Sequence, residues 1–406
     1  MQERLHHISF TDALSKLGHH PGIVESLLRG KPITPISMEV DLSSFCGDQC
    51  NFCHFAHTHQ RPVRTDAPPD VLNRVFMTPG VAEQILSKMT TAGVRSIVFS
   101  GGGEPTDSPF ALEIMKMAKN YGFELGMYTR GANLHGDLGL FVVKEFEWIV
   151  VSLDVTNPED HRVVKGTGQK IFQRKVENIK NLLAMQERRA SISLSLLVSN
   201  DHLMLVDPYE EQHEFFGSAG QVTRLERDMI WMLALGPDEV QVRPIIDTGT
   251  YHEQRETGRM GGMAFKTDEA AWADHYSWIP RVVSILGRYG GLRGLNTSMD
   301  KFGQVYRGES GDEVCYGMVV SAGLVGTDGK VYKCINTRGV PEKVIGDLTK
   351  QSMEDIYRSP LLDRAVDGYC RVSCRGCKLN MAMRELKNSG AADLLPNPDV
   401  KHPNFI

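Results

Sequence analysis

From Ile36 onward the chain alternates between two apolar patterns. Short runs read as buried strands at Ile36–Leu42, Arg95–Ser100, Glu124–Thr129, Trp148–Leu153, Ser191–Val198 and Glu239–Ile245. Between them lie longer stretches with apolar residues at helical spacing: Val81–Ala92, Phe110–Tyr121, Ile171–Glu187 and Leu225–Leu235, with a further one at Ala270–Tyr289. Apolar strands joined by crossover helices predict a parallel sheet covered by helices, with ligand sites gathered at the strand ends. Residues 1–35 are polar and His-rich, with short helical stretches at Thr11–Leu17 and Gly22–Leu28 closed by Pro32 and Pro35. His202–Val222 is acidic and irregular and reads as an inserted loop; Asp247–Phe265 reads as a mobile loop beyond a strand end. From about Gly308 the pattern turns to short β-like pieces and one helix, Ser352–Arg358, which predicts a second, smaller domain.

Composition narrows the class. With 406 residues, 41% hydrophobic and 23% charged, the chain can bury a core of this size and is neither fibrous nor disordered. A net charge of −5 argues against a general nucleic-acid binder. No apolar run reaches the ~18 residues needed to cross a bilayer, and the first residues lack the apolar core of a secretory signal. The expectation is a soluble cytoplasmic enzyme with no nucleic-acid or membrane partner.

The eight cysteines fall in two groups, Cys46, Cys50 and Cys53 near the start and Cys315, Cys334, Cys370, Cys374 and Cys377 near the end. Such tight spacings in a long chain of this class indicate metal or cluster ligands rather than disulfides. Cys46-Gly-Asp-Gln-Cys50-Asn-Phe52-Cys53 sets three thiolates on the loop after the first strand. Three thiolates can hold three irons of a [4Fe–4S] cube and leave the fourth iron open to a ligand. The competing reading is zinc, with a fourth ligand from His54, His57 or His59; the rival class is then a non-catalytic zinc-binding protein.

The CxxxCxxC spacing, with Phe52 just before its last cysteine, and Ser100-Gly-Gly-Gly-Glu-Pro105 at the next strand end together resemble the radical S-adenosylmethionine (SAM) superfamily. The resemblance implies a partial (β/α)6 TIM-like barrel. It also implies a [4Fe–4S] cluster on Cys46, Cys50 and Cys53 with SAM on the open iron, and an external donor of the flavodoxin or ferredoxin type. An electron from the reduced cluster would cleave SAM to a 5′-deoxyadenosyl radical that takes hydrogen from a substrate C–H bond. The resemblance assigns SAM contacts to Phe52, Gly102, Gly103, Glu104 and Pro105. Ser152-Leu-Asp154 resembles the family's Ser-x-Asp element, which adds Ser152 and Asp154. His161-Arg-Val-Val-Lys165-Gly resembles the segment whose basic residue pairs with the SAM carboxylate: Lys165, with Arg162 as the alternative, or a solvated helix end in either case. Ser193 and Ser195 either reach the ribose or simply alternate along a strand. Arg243, in Gln241-Val-Arg243-Pro, contacts SAM or substrate or forms a structural ion pair. Arg130, after the third strand, reaches a substrate anion or lies in a solvated loop. No further catalytic residue stands out.

The order of Cys315, Gly329-x4-Cys334, Ile345-Gly-Asp, a helix and then Cys370, Cys374 and Cys377 resembles the SPASM/twitch extension, which carries auxiliary iron–sulfur clusters. A full SPASM domain has seven cysteines; the five here complete one auxiliary [4Fe–4S] cluster. Its expected ligands are Cys315, Cys334, Cys374 and Cys377, with Cys370 able to replace Cys374; a zinc ribbon-like site is the alternative. The expected domains are an N-terminal extension (1–35), the radical SAM barrel (36–307), the auxiliary domain (308–385) and a tail (386–406). An auxiliary cluster that takes the second electron favours oxidation or bond formation. A small polar substrate (a sugar, cyclitol or nucleotide derivative) ranks first, because about 35 leading residues are too few for a peptide-recognition module. The alternative is a maturase acting on a ribosomally made peptide or protein.

Overall fold

The computed structural model describes residues 13–29, 31, 33–217, 220–246, 256, 269–307, 315–316, 323–359, 382–383, 386, 400 and 402–405. Its strands in chain order are β1 (Ser37–Asp41), β2 (Ser96–Ser100), β3 (Glu124–Thr129), β4 (Trp148–Val151), β5 (Ser191–Val198), β6 (Leu205–Val206) and β7 (Val222–Thr223). Then follow β8 (Glu239–Pro244), β9 (Leu295–Asn296), β10 (Leu324–Val325), β11 (Lys330–Tyr332) and β12 (Val344–Asp347). One sheet runs β12-β11-β10-β1-β2-β3-β4-β5-β8-β9, parallel from β10 through to β9. The six strands expected from the sequence are its centre. The sheet keeps two ends, so the barrel is partial, as expected.

Register explains why these runs form one layer. Val40 pairs with Phe99, Phe99 with Met127, Met127 with Ile149, and Ile149 with Ile192. This row is essentially fully buried against the covering helices, which contribute Ile85, Ile114, Val142 and Ile179. Because side chains alternate along a strand, the same strands turn a polar row inward, including Glu39, Asp41, Ser193, Glu239 and Arg243. The interior of the barrel is therefore a charged chamber.

Residues 402–405 close the end of the barrel away from the strand C-termini. Phe405 packs on Trp148 with ring centroids 5.4 Å apart and joins Val98 and Val150. The Asn404 carbonyl accepts from Ser96 Oγ (2.7 Å), and its amide donates to Glu124 (2.6 Å). Lys16, itself buried, donates to the Phe405 carbonyl. Trp148 lies across β3 at Gly126, where a Cβ would stand 2.3 Å from its ring. Leu17, Val24 and Leu27 of the N-terminal segment form a second core with Tyr316, Met383 and Leu386.

Three expectations change. The stretch Ala270–Tyr289 is two helices, Glu269–His275 and Ile279–Tyr289, because Pro280 opens the second; inside a continuous helix it would remove a hydrogen bond and clash. The helix Gly136–Glu145, between β3 and β4, had no place in the sequence reading. His202–Val222 is not wholly irregular: β6 and β7 pair antiparallel across it, and His213–Phe216 is helical. Apart from Glu256, Asp247–Phe265 lies outside the described residues. Among the described residues no helix is long and apolar enough to cross a membrane.

His202 sets an acid limit on the inserted segment. Burial pushes its pKa down to about 4, with Arg224 adding to the effect. The unfolded imidazole takes a proton below about 6.5 and the folded one does not, so stability is lost as pH falls from 6.5 towards 4. Between pH 6.5 and 5 the loss is about 2 kcal/mol from this group. Urea unfolding at the two pH values should show that loss in the wild type, reduced by most of it in His202→Gln. Equal pH dependence in both proteins would refute the assignment.

Candidate active site

The loop after β1 carries Cys46, Cys50 and Cys53 and is held from three sides. Its Asp48 side chain is 1% exposed and bonds Arg130 (3.0 Å) from the loop after β3 and Lys175 from the helix Gln169–Ala184. Arg130 also binds Asp107 at 2.8 Å, and Gly47 N donates to the same carboxylate. Gly47 lies flat on the guanidinium: a Cβ there would be 2.8 Å from Arg130 NH2. On the third side Gln49 N and Asn51 N donate to the carbonyls of Lys165 and Val164. Arg130 is thus neither a substrate anchor nor part of a solvated loop, but a buried tie beneath the cysteine loop.

The thiols share one environment. Burial pushes Cys46 and Cys50 up and Cys53 up to about 12, and Cys50 raises both of its neighbours further. Such thiols stay protonated until a positive metal centre draws the protons off. His59 is buried with Nε2 3.8 Å from Cys53 Sγ, His57 reaches the Arg338 carbonyl (3.2 Å), and His54 packs edge-on to Phe55. These histidines hold the loop.

The Gly-rich end of β2 presses on the same loop. Gly103 N donates to Ser43 O and Glu104 N to Phe45 O. A Cβ on Gly103 would meet Phe45 O at 2.2 Å, so only glycine allows this approach. The Glu104 side chain accepts from Thr106, Thr129 Oγ1 (2.6 Å) and Arg130 N (2.7 Å). Pro105 opens the turn Pro105–Asp107.

Asp154 joins the ends of β4 and β5. It has left-handed φ (59°) and binds Ser195 Oγ (3.0 Å), Leu197 N (3.2 Å) and the ammonium of Lys165. Lys165, 2% exposed, also stands 5.0 Å over the Phe52 ring. Of the two candidate basic residues, Lys165 sits beside Cys50 but is engaged by Asp154, while Arg162 is exposed and paired with Glu159. Ser152 is half-buried, its N–H bonded to Thr129 O. Across the chamber Arg243 bonds Gln241 and faces the Tyr128 ring at 6.0 Å, and Ser193 points to Glu239 (3.4 Å). Cys315 and Cys334 are half-buried; Cys370, Cys374 and Cys377 lie outside the described residues.

Sequence reasoning missed the charged ties. Lys175 left one sign: it lies on the buried stripe of its helix with Phe172, Ile179 and Leu182, where a charge needs a partner. Arg338 left none. It is 3% exposed and binds Asp41 through Nε (2.8 Å) and NH2 (3.0 Å), and Glu39 at 3.0 Å. Burial still pushes Asp41 up to about 6 against the pull of Arg338.

The same loop and strand ends fall within residues 40–202, which match the model of the Radical SAM superfamily. This stretch is a radical SAM domain. Residues 315–378 match the SPASM model, an iron–sulfur cluster-binding domain. A SAM-dependent nucleotide dehydratase of Flammeovirga pacifica is 28% identical over 141 residues, 35% of this chain and 46% of that protein. A probable GTP 3′,8-cyclase of Thermococcus kodakarensis is 28% identical over 137 residues, 34% of this chain and 40% of that one. The chain spans less than half the length of these curated relatives. Streptococcus suis SuiB bound to its precursor peptide SuiA superposes with TM-score 0.55 at 15% identity, covering 95% of this chain and 80% of SuiB. The anSMEcpe structure with bound AdoMet and Kp18Cys peptide gives 0.53 at 12% identity, covering 89% and 98%. At these identities the likeness is one of fold.

Proposed function

We propose that this radical SAM enzyme binds a [4Fe–4S] cluster through Cys46, Cys50 and Cys53, with SAM on its open iron, and one auxiliary cluster through Cys315, Cys334, Cys374 and Cys377. The observation that carries the reading is the clamping of three half-buried thiols between the Gly102–Gly103 strand end and Asp154–Lys165, the two elements that the resemblance links to SAM. Among the described residues no three His, Cys, Asp or Glu side chains gather as a single metal ion would require. When bound, the cluster and SAM supply an electron and a carbon radical able to take hydrogen from a substrate C–H bond. The chain's part is to orient and to keep water out. Gly102 and Gly103 let the strand end pack directly on the cysteine loop, Asp154 holds the strand ends at which Ser152 and Ser195 stand, and Lys165 lies over the Phe52 ring of that loop. A donor of the flavodoxin or ferredoxin type supplies the electrons in the cytoplasm. The domain division at 36–307 and 308–385 belongs to this reading, although β10 hydrogen-bonds directly to β1.

We read the substrate as small and polar, of the nucleotide, sugar or cyclitol kind. Both curated relatives are named for nucleotide chemistry, and the inner wall, with Glu39, Asp41, Glu239, Gln241 and Arg243, suits hydroxyl and amine groups. A peptide is the second reading, since SuiB and anSMEcpe are described with peptides. The test incubates reduced enzyme and SAM with candidates deuterated at each carbon. Deuterium should reach 5′-deoxyadenosine from a nucleotide, sugar or cyclitol carbon. Transfer from a peptide Cα or Cβ alone would reverse the ranking.

A further inference from the structure

We propose that Arg338 is a positioning residue through which the loop at Cys334 sets the geometry of the SAM-binding cysteine loop. The inference rests on the proposed cluster and SAM site. Three observations converge on it. The path from Cys334 to Arg338 is stiff: Cys334 N donates to Thr337 Oγ1 (3.0 Å), that hydroxyl donates back to Cys334 O (2.8 Å), and Thr337 is 1% exposed. A shift at Cys334 therefore reaches Arg338 within a single turn.

The guanidinium joins two separate parts of the barrel. It neutralises Asp41 and Glu39 on β1, and it stacks on Phe55, two residues past Cys53, with 4.2 Å from its central carbon to the ring centre. The main chain locks the same contact. His57 Nε2 meets Arg338 O at 3.2 Å, and a Cβ on Gly339 would lie 2.5 Å from Thr58. A Cβ on Gly102 would lie 2.7 Å from Thr58 Oγ1 and 3.0 Å from Arg338 Cδ. The cysteine loop, the Gly-rich strand end and the auxiliary loop thus interdigitate with no spare layer between them. Packed contacts of this kind move together or not at all.

The experiment is a double-mutant cycle on Cys334→Ala and Arg338→Met, with the reconstituted full chain and SAM as the probe. The readouts are the SAM dissociation constant and the SAM-induced change in the electron paramagnetic resonance of the reduced cluster. Each single variant should weaken SAM binding roughly tenfold and blunt the spectral change, and the two together should do no more than one, since they act through one contact. Arg338→Lys should recover part of the signal. Should stranded Asp41 and Glu39 prevent folding of Arg338→Met, the cycle is run in Arg338→Met/Asp41→Asn, with the same expectation. Wild-type SAM affinity and spectrum in the Arg338 variant, or effects that multiply, would overturn the coupling alone. A wild-type protein whose cluster does not respond to SAM would remove the coupling together with the site reading beneath it.

Discussion

Replacing Cys46, Cys50 and Cys53 together by Ala should leave about four irons per chain where the anaerobically reconstituted wild type holds about eight, and should abolish reductive cleavage of SAM. The three thiols are half-buried on one loop, and Cys50 raises the pKa of both Cys46 and Cys53, so they form one site. Removing them takes away every thiolate offered to the SAM-site cluster, whereas the auxiliary cysteines are untouched. The loop should persist, because Asp48, Arg130 and the backbone bonds to Val164 and Lys165 do not involve sulfur. Loss of all iron in the triple variant would mean that the two sites do not fill independently. Full retention of iron with SAM cleavage intact would remove the assignment of these cysteines. Tight zinc binding by the wild type, with no charge-transfer absorbance in the visible, would favour the rival zinc-binding class.

What could be read from the sequence was what repeats locally. The apolar runs of β1 to β5 and β8 stand out because both faces of a parallel sheet restrict composition, and the outward row from Val40 to Ile192 is apolar at every step. The cysteine triplet and Gly101–Glu104 are likewise contiguous, and the structure brings them together at adjacent strand ends. The ties that orient them are not contiguous. Asp48 and Lys175 are 127 residues apart and Asp41 and Arg338 are 297 apart, and no spacing rule connects such pairs. Lys165 illustrates the limit within a motif. The resemblance pairs it with the SAM carboxylate, with a solvated helix end as the other reading, whereas its engagement by Asp154, a residue with left-handed φ, is something a one-dimensional pattern does not reveal. Phe405 falls in the expected tail, 386–406; its partner Trp148 is a strand residue opposite a glycine.

Asp48→Ala is expected to be the most damaging single change outside the cysteines, costing about 3–5 kcal/mol of stability and impairing iron uptake at the first site. The carboxylate lies between Cys46 and Cys50 and binds two cations at once, of which Lys175 is 0% exposed. Removing one partner of a buried pair leaves the other charge without compensation, and that desolvation is what makes the change costly. The pKa of Lys175 is already pushed down by burial even with Asp48 beside it. Without Asp48, Lys175 should shed its proton or draw water into the core beneath the cysteine loop. Lys175→Met should cost less, because Asp48 keeps Arg130 and methionine fills the same apolar stripe. The double variant Asp48→Ala/Lys175→Met should then be more stable than Asp48→Ala alone, a non-additivity of 1 kcal/mol or more in the roughly 0.5–3 kcal/mol range typical of contacting pairs. Chemical denaturation of all four proteins, with iron counted after reconstitution, measures both effects. If the double variant loses the sum of the single losses, the pair is not the clamp on the cysteine loop, and Arg130 with Asp107 holds it instead.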